Sequence, residues 1–262
     1  MSLPDDVRAH CAEVAAAATH VHIDEEAIAA YAESLQPTAL TPAEDPAFGL
    51  QLNAINFGSG WFPTLDKPDG LSGFRTVEAG MRRHAPFSPD QLQGMTRESV
   101  AKVLDQEPEH PLMALYARAL NEIADVHPEG DAVEIAEQLA QLPMWHDPGF
   151  YKRAQIAAAD LTLENAHRLT LFSDNLVPHV LKLDGILIFD PALDARIERE
   201  ELLEHGSREE VEIRACAVQA VELLVAAHGA TTAAALDRLL WNRGGGERYK
   251  ARPRHRARTT AY

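Results

Sequence analysis

Two aspartates and one run of cations are the groups in this sequence best suited to chemistry by type and setting. Asp174 lies in LFSDNLVPHVL (171–181), after an apolar stretch and before Asn175 and Pro178. An Asp at a helix start acts as a cap, because its side-chain oxygen accepts a hydrogen bond from a free backbone N–H. The same position, beside Phe172, also suits a carboxylate working on a ligand in a cleft. Asp237 lies in a helical stretch from Thr231 to Arg243. Ala233 is four before it, Leu240 three after and Trp241 four after, so the carboxylate shares a helix face with apolar groups. A carboxylate there is costly unless it is paired or hydrogen-bonded. A buried salt bridge, to Arg214 for instance, would satisfy it; so would a ligand donor in a pocket. On residue pattern alone both readings stand for both aspartates.

The third feature is the C-terminal segment 243–262. The chain of 262 residues carries 24 Lys+Arg against 40 Asp+Glu, a formal net charge of −16. Seven of those cations and one acid fall in the last twenty residues, which leaves the first 242 at −22. Arg248, Lys250, Arg252, Arg254, Arg256 and Arg258 occupy every second position. In an extended segment they share one face. Tyr249, Ala251, Pro253, His255 and Ala257 take the other, suited to packing on the body. The cationic face reads either as a solvated tail drawn to an acidic surface or as an anion site, since guanidinium groups fork onto phosphate oxygens. An acidic body argues against wrapping nucleic acid, which needs a cationic surface.

Other chemistry is missing from the sequence. There is no HExxH, CxxC or Walker loop. His20 and His22 are two apart, which suits a metal only on a strand. Gly244, Gly245 and Gly246 follow a helix, so they read as a helix stop rather than a phosphate cradle. Gly58, Ser59 and Gly60 lack the pattern of a nucleophile elbow. Cys11 and Cys216 read as reduced core residues. No signal peptide or membrane span is visible, and the expected location is cytoplasmic.

The elements that must position these groups are mostly helical. Asp24 caps a helix carrying Ile28, Tyr31 and Leu35; Ser88 and Thr96 cap two short ones. Helical periodicity covers 112–126, 132–142, 151–167, 175–184 and 193–204. Arg208–His228 is the most apolar helix and is expected to be central. Thr231 is expected to cap the last helix. Residues 50–74 mix Asn, Gly, Pro and aromatics and read as irregular or short-strand structure. Ile186–Phe189 suits a strand or a buried loop. The expectation is an all-α, mainly helical globular fold over 1–262, with room for a small β element near residues 50–75.

Several segments together resemble the queuosine salvage protein family, the queuosine 5′-phosphate N-glycosylases. They are LFSDNLVPHVLKLDGIL (171–187), EEVEIRACAVQAVELL (209–224), LDRLLWN (236–242) and RHRARTTAY (254–262). YKRAQIAAADL (151–161) and LNAINFGSGWFP (52–63) resemble its central and N-terminal segments. The resemblance implies a helical fold related to helical DNA glycosylases and hydrolysis of the N-glycosidic bond of queuosine 5′-monophosphate. It implies that Asp174 is the catalytic carboxylate, that Phe172 contacts the base, that Asp237 binds substrate and that Lys152 is a polar contact. Some family members have an acid where this chain has Asn242 and an aromatic where it has Arg238. Those differences bear on base recognition. Both residues, with Arg258 of the tail, complete the candidate substrate-binding set.

Breaking a nucleoside C–N bond develops positive charge on the sugar, and a carboxylate beneath C1′ stabilises that charge or attacks it. Water then delivers the hydroxyl, and neither metal nor cofactor is required. The expected partners are a small nucleotide substrate and its free-base product, queuine, with no stable nucleic-acid complex and no membrane. Lys152 or part of the arginine tail would hold the 5′-phosphate. Two other readings remain open at this point: a nucleic-acid glycosylase or nucleic-acid-binding helical domain, and a non-catalytic helical interaction module.

Overall fold

The computed structural model describes residues 2–68 and 70–262. Fourteen α-helices and two short strands are found among them. The first part holds α1 (Leu3–Ala16), β1 (Val21–Ile23), α2 (Glu25–Ser34), α3 (Pro46–Ala54), α4 (Gly73–His84) and α5 (Pro89–Gln93). There follow α6 (Arg97–Leu104), α7 (Pro111–Glu122), α8 (Ala132–Ala140), α9 (Lys152–Leu161) and α10 (Val177–Leu183). The last part holds β2 (Leu187–Phe189), α11 (Pro191–Glu198), α12 (Arg208–His228), α13 (Ala233–Arg243) and α14 (Glu247–Lys250). The mainly helical class expected from the periodicity is the class observed.

Local chemistry sets many of the boundaries. Asp24, Ser88 and Thr96 each accept a hydrogen bond from the third backbone N–H of the helix they cap. Pro46 and Pro111 open α3 and α7, where a missing N–H costs nothing. Gly229 ends α12 at φ 70°, a left-handed conformation that glycine adopts without a Cβ clash. The cap of α13 is Thr232 rather than Thr231. The 151–167 stretch stops earlier than its periodicity suggests: α9 ends at Leu161, and Ala166–Arg168 forms a separate 3-10 turn.

Helix α12 is the axis of the fold. Ile213, Ala215, Cys216, Ala217, Val218 and Ala220 are all buried, so successive residues meet protein on every side. It packs against α1, α2, α10, α13 and β1. A second layer places α9 against α3 and α8. No single described helix is long and apolar enough to cross a membrane; α12 and α13 meet that test only as a pair, bent by 111°.

Among the described residues no β element forms near 50–75, whereas the strand alternative for Ile186–Phe189 is met by β2. Residues 50–54 complete α3, Phe62–Thr64 form a 3-10 turn, and Gly73 starts α4. Buried Leu50, Gln51, Asn53, Ala54 and Ile55 do not alternate, so no strand face exists there. Gly58, at φ 116°, turns the chain instead. The strands are β1 and β2, paired antiparallel with Val21 opposite Phe189 and Ile23 opposite Leu187. The tail also differs from one extended segment. Arg243 ends α13 and Glu247–Lys250 is helical, which breaks the alternation in its first half. The alternation holds later: His255, Ala257, Thr259 and Ala261 are buried. The backbone N–H groups of Gly58 and Gly60 bond the carbonyls of Tyr262 and Ala257, which ties the segment to the 55–61 turn.

The polar interruptions in α12 are structural. Glu212 accepts from the backbone N–H groups of Thr19, His20 and Val21, and so fixes the entry to β1. Arg214, fully buried, forks onto Asp147 at 2.9 and 2.7 Å. Its guanidinium lies between the rings of Phe150 and Tyr262, at 3.9 and 4.7 Å from their centroids. Removing one partner of such a pair strands a charge in a dry interior, at a cost of about 3–5 kcal/mol. Asp147→Asn is therefore expected to lower the midpoint of urea denaturation with an unchanged slope. An unchanged midpoint would show that the pair does not hold the fold.

Candidate active site

The arginine that braces the core also braces both sides of a cavity. Asp147 accepts the backbone N–H of Lys152 at 3.1 Å, at the start of α9. Arg214 Nε donates to the carbonyl of Ser173 at 3.0 Å, and Ser173 Oγ donates to the carbonyl of Arg214. Asn175 Nδ2 donates to the carbonyl of His255. Asp174 is thus held between two anchored neighbours. Its own Oδ1 accepts the N–H of Leu176 at 2.6 Å. Asp174 does not cap α10, whose cap position is Leu176; its oxygen closes a tight turn just before that helix, and the residue lines the cavity.

The cavity has a volume of about 690 Å³, in the range of small-molecule sites. Lys152, Phe172, Asp174, Asp237 and Arg238 all line it. Lys152 is 3 % exposed, Phe172 5 % and Asp237 6 %. Along α13, Ala234, Asp237, Arg238 and Trp241 face the cavity, a spacing of three, four and seven. Trp241 meets Phe74 edge-on at 5.9 Å, and Arg75 lies over its ring at 4.9 Å. Arg238 is held at the rim by Thr41, through the hydroxyl at 2.7 Å and the carbonyl at 2.9 Å.

Two candidates lie elsewhere. Asn242 is exposed and is not part of the cavity wall, because it sits about 100° round α13 from Trp241. Arg258 is exposed between buried Ala257 and Thr259, and it too is outside the wall. Asp237 does not pair with Arg214, whose charge is taken by Asp147 and, at 3.6 Å, Glu210.

The electrostatics of the wall follow from burial. Burial pushes the Lys152 ammonium down to about 8, and the nearby charges of Asp174 and Asp237 oppose that fall. Its Nζ donates to the carbonyl of Asn56 at 3.1 Å. Burial, and then the charge of Asp174, raise the Asp237 carboxyl well above the usual range; Lys152 pulls the other way. Its protonated form is thereby favoured, the form that donates a hydrogen bond as well as accepting one. Half-buried Arg254 also feels the charge of Asp174, although burial lowers it first. Three other tail arginines are paired with the body: Arg248 with Asp184, Arg252 with Glu198 and Arg256 with Glu200.

Several wall residues carried little signal in the sequence. Asn53 and Asn56 are three apart near the end of α3, and Asp160 is eight residues beyond Lys152 on the same face of α9. Asp147 and Arg214 are 67 residues apart, and only the fold unites them. Among the described residues no three His, Cys, Asp or Glu side chains converge to hold a metal. His22 does lie on a strand, but it is exposed.

Comparison with known proteins accords with this arrangement. Residues 146–262 match the family model of the queuosine salvage protein. The chain is 31% identical to a queuosine 5′-phosphate N-glycosylase/hydrolase of Sphaerobacter thermophilus, over 92% of this chain and 93% of that one. It is 33% identical to the protein of the same name from Dictyostelium discoideum, over 43% of this chain and 40% of that one. With its Bos taurus namesake it shares 38% identity over 29% of this chain and 25% of that one. The matched region contains Lys152, Asp174 and Asp237, three of the groups around the cavity. The chain therefore belongs to the queuosine salvage protein family.

Proposed function

We propose that this protein hydrolyses the N-glycosidic bond of queuosine 5′-phosphate and releases queuine. The observation that carries the reading is one cavity lined by Phe172, Asp174, Asp237 and Lys152. Asp174 is the carboxylate that faces C1′. As the C1′–N bond breaks, its electron pair leaves with the base and positive charge grows on the sugar. A fixed anion stabilises that charge without reorganising. Water adds to C1′, and its proton ends on the departing base.

The base is a 7-deazaguanine, with carbon where a purine has N7, so protonation there cannot assist departure. Asp237 supplies an alternative. A neutral carboxyl presents one donor and one acceptor side by side. That matches the amino and N3 positions of the base, or its N1–H and O6. Donation to the acceptor strengthens as negative charge develops on the leaving ring. Phe172 and Trp241 offer apolar walls for the ring.

The 5′-phosphate is assigned to Lys152, with Arg254 as the nearest tail cation. Both feel the charge of Asp174, whereas Arg248, Arg252 and Arg256 are occupied by acids of the body. That occupation also weakens the nucleic-acid reading, which needs a free cationic stripe.

Incubation with queuosine 5′-monophosphate, followed by mass spectrometry, is expected to show free queuine. The nucleotide should exceed the nucleoside in kcat/KM by at least about tenfold, the weight of one charged contact. Equal turnover of the two would remove the phosphate assignment; no turnover of either would remove the function.

The pH profile gives a second check. Lys152 is a cation only below its lowered pKa of about 8. The value of kcat/KM for the nucleotide is therefore expected to fall as pH rises through about 8. The nucleoside should lack that limb, as should Lys152→Met with the nucleotide. An identical limb in Lys152→Met would assign the titration to another group.

A further inference from the structure

The cavity is longer than its catalytic end. Lys152, Ile156, Ala159 and Asp160 line it in succession along α9. At 1.5 Å per residue, Lys152 and Asp160 are separated by about 12 Å of helix. Each end has an asparagine from the 52–56 stretch. Asn56 meets Lys152 through its carbonyl, and Asn53 Nδ2 donates to Asp160 Oδ2 at 2.7 Å. Among the described residues, Oδ1 of Asp160 has no hydrogen-bond partner.

The walls around Asp160 are built as a lobe. The Asp160 carbonyl accepts the N–H of Ala43 at 2.9 Å, which ties α9 to the segment before α3. Gly49 comes close at the same place. A Cβ there would lie 3.0 Å from the Cβ of Ala43 and 3.6 Å from that of Asp160. A larger residue would fill the space beside the carboxylate. Arg238 is turned onto Thr41 and acts on Asp160 only through its charge, with no hydrogen bond to it. The result is a partly buried carboxylate with a spare acceptor, at the end of the cavity away from the reacting carbon. Burial raises its carboxyl; the Asn53 hydrogen bond, and after it the charge of Arg238, oppose that rise. A cationic donor would complete its hydrogen bonding and relieve the desolvation.

We infer that Asp160, positioned by Asn53, is a specificity residue that binds the amine-bearing, hydroxylated substituent on the 7-position of the base. The inference rests on the proposed function. In that substrate an aminomethyl group joins the ring to a dihydroxycyclopentene. The amine is protonated at neutral pH, and the diol offers further O–H donors. A carboxylate accepts from both kinds of group, whereas an unsubstituted 7-deazaguanine offers it nothing. The substituent also makes the base longer than a purine, in keeping with a cavity that continues past the catalytic carboxylate. A site built around such an acceptor disfavours a ligand that lacks the donor, because the carboxylate, partly shielded from water, then loses its partner.

The test compares wild type with Asp160→Asn and Asp160→Ala on two nucleotides. One is queuosine 5′-monophosphate; the other is 7-deazaguanosine 5′-monophosphate, followed as a substrate or as a competitive inhibitor. Asp160→Asn keeps the size of the side chain and a carbonyl for Asn53. Both variants are expected to raise KM for queuosine 5′-monophosphate at least about tenfold, the weight of a charge-assisted hydrogen bond. The constant for the unsubstituted nucleotide should stay within about twofold, because no contact with it is lost. Equal losses on both compounds would make Asp160 merely structural and overturn the inference. No loss on either would overturn it as well. If wild type acts on neither nucleotide, the proposed function fails and this specificity site fails with it.

Discussion

The pairing of Arg214 with Asp147 is the constraint on which the rest of this structure depends. It is a fully buried ion pair that also satisfies backbone groups on both sides. Asp147 receives the first N–H of α9, which carries Lys152 and Asp160. Arg214 holds the carbonyl next to Asp174. The rings of Phe150 and Tyr262 pack on the guanidinium, which is fully buried. A charge in that setting is costly to isolate, so the elements it joins cannot drift apart separately. The site inherits its rigidity from the core rather than from its loops.

Around that brace, the fold gives two carboxyls different surroundings. Asp174 spends one oxygen on a turn and lines the cavity with the rest of its side chain. Asp237 lies deeper on a helix, where burial and then the charge of Asp174 raise its carboxyl well above the usual range. Lys152 stands near both and is itself destabilised as a cation. A negatively charged phosphate entering near Lys152 would favour its ammonium form, so substrate binding and its protonation support one another. One environment thus brings two carboxyls and an amine to a single cavity, the set on which the proposed hydrolysis draws.

The sequence made some of this legible. Local signals worked: caps at Asp24, Ser88 and Thr96, and the apolar length of Arg208–His228. Asp174 and Asp237 stood out because carboxylates beside apolar residues demand an explanation. Long-range pairing did not show. The strands β1 and β2 are three residues each and distant in the chain: the apolar run at 186–189 offered β2 as one alternative, but nothing marked β1 or their pairing. Arg214 fitted Asp237 on paper, but the fold gives it to Asp147. The tail pattern predicted which residues would be buried near the end. It did not reveal that Glu198, Glu200 and Asp184 would meet its arginines. Asp160 was invisible, because an acid at the end of an alanine-rich helix looks like surface until α3 is packed against it.

The central claim is that Asp174 acts on the reacting carbon rather than only closing a turn. Its most direct test is Asp174→Asn, which retains an oxygen for the Leu176 N–H but removes the charge. Thermal melting and calorimetric binding of queuosine 5′-monophosphate would be measured on the same preparation as queuine release. Melting and affinity are expected to stay near wild type, while kcat falls at least about a hundredfold, as for loss of a main electrostatic stabiliser. A folded, substrate-binding variant with kcat close to wild type would contradict the account.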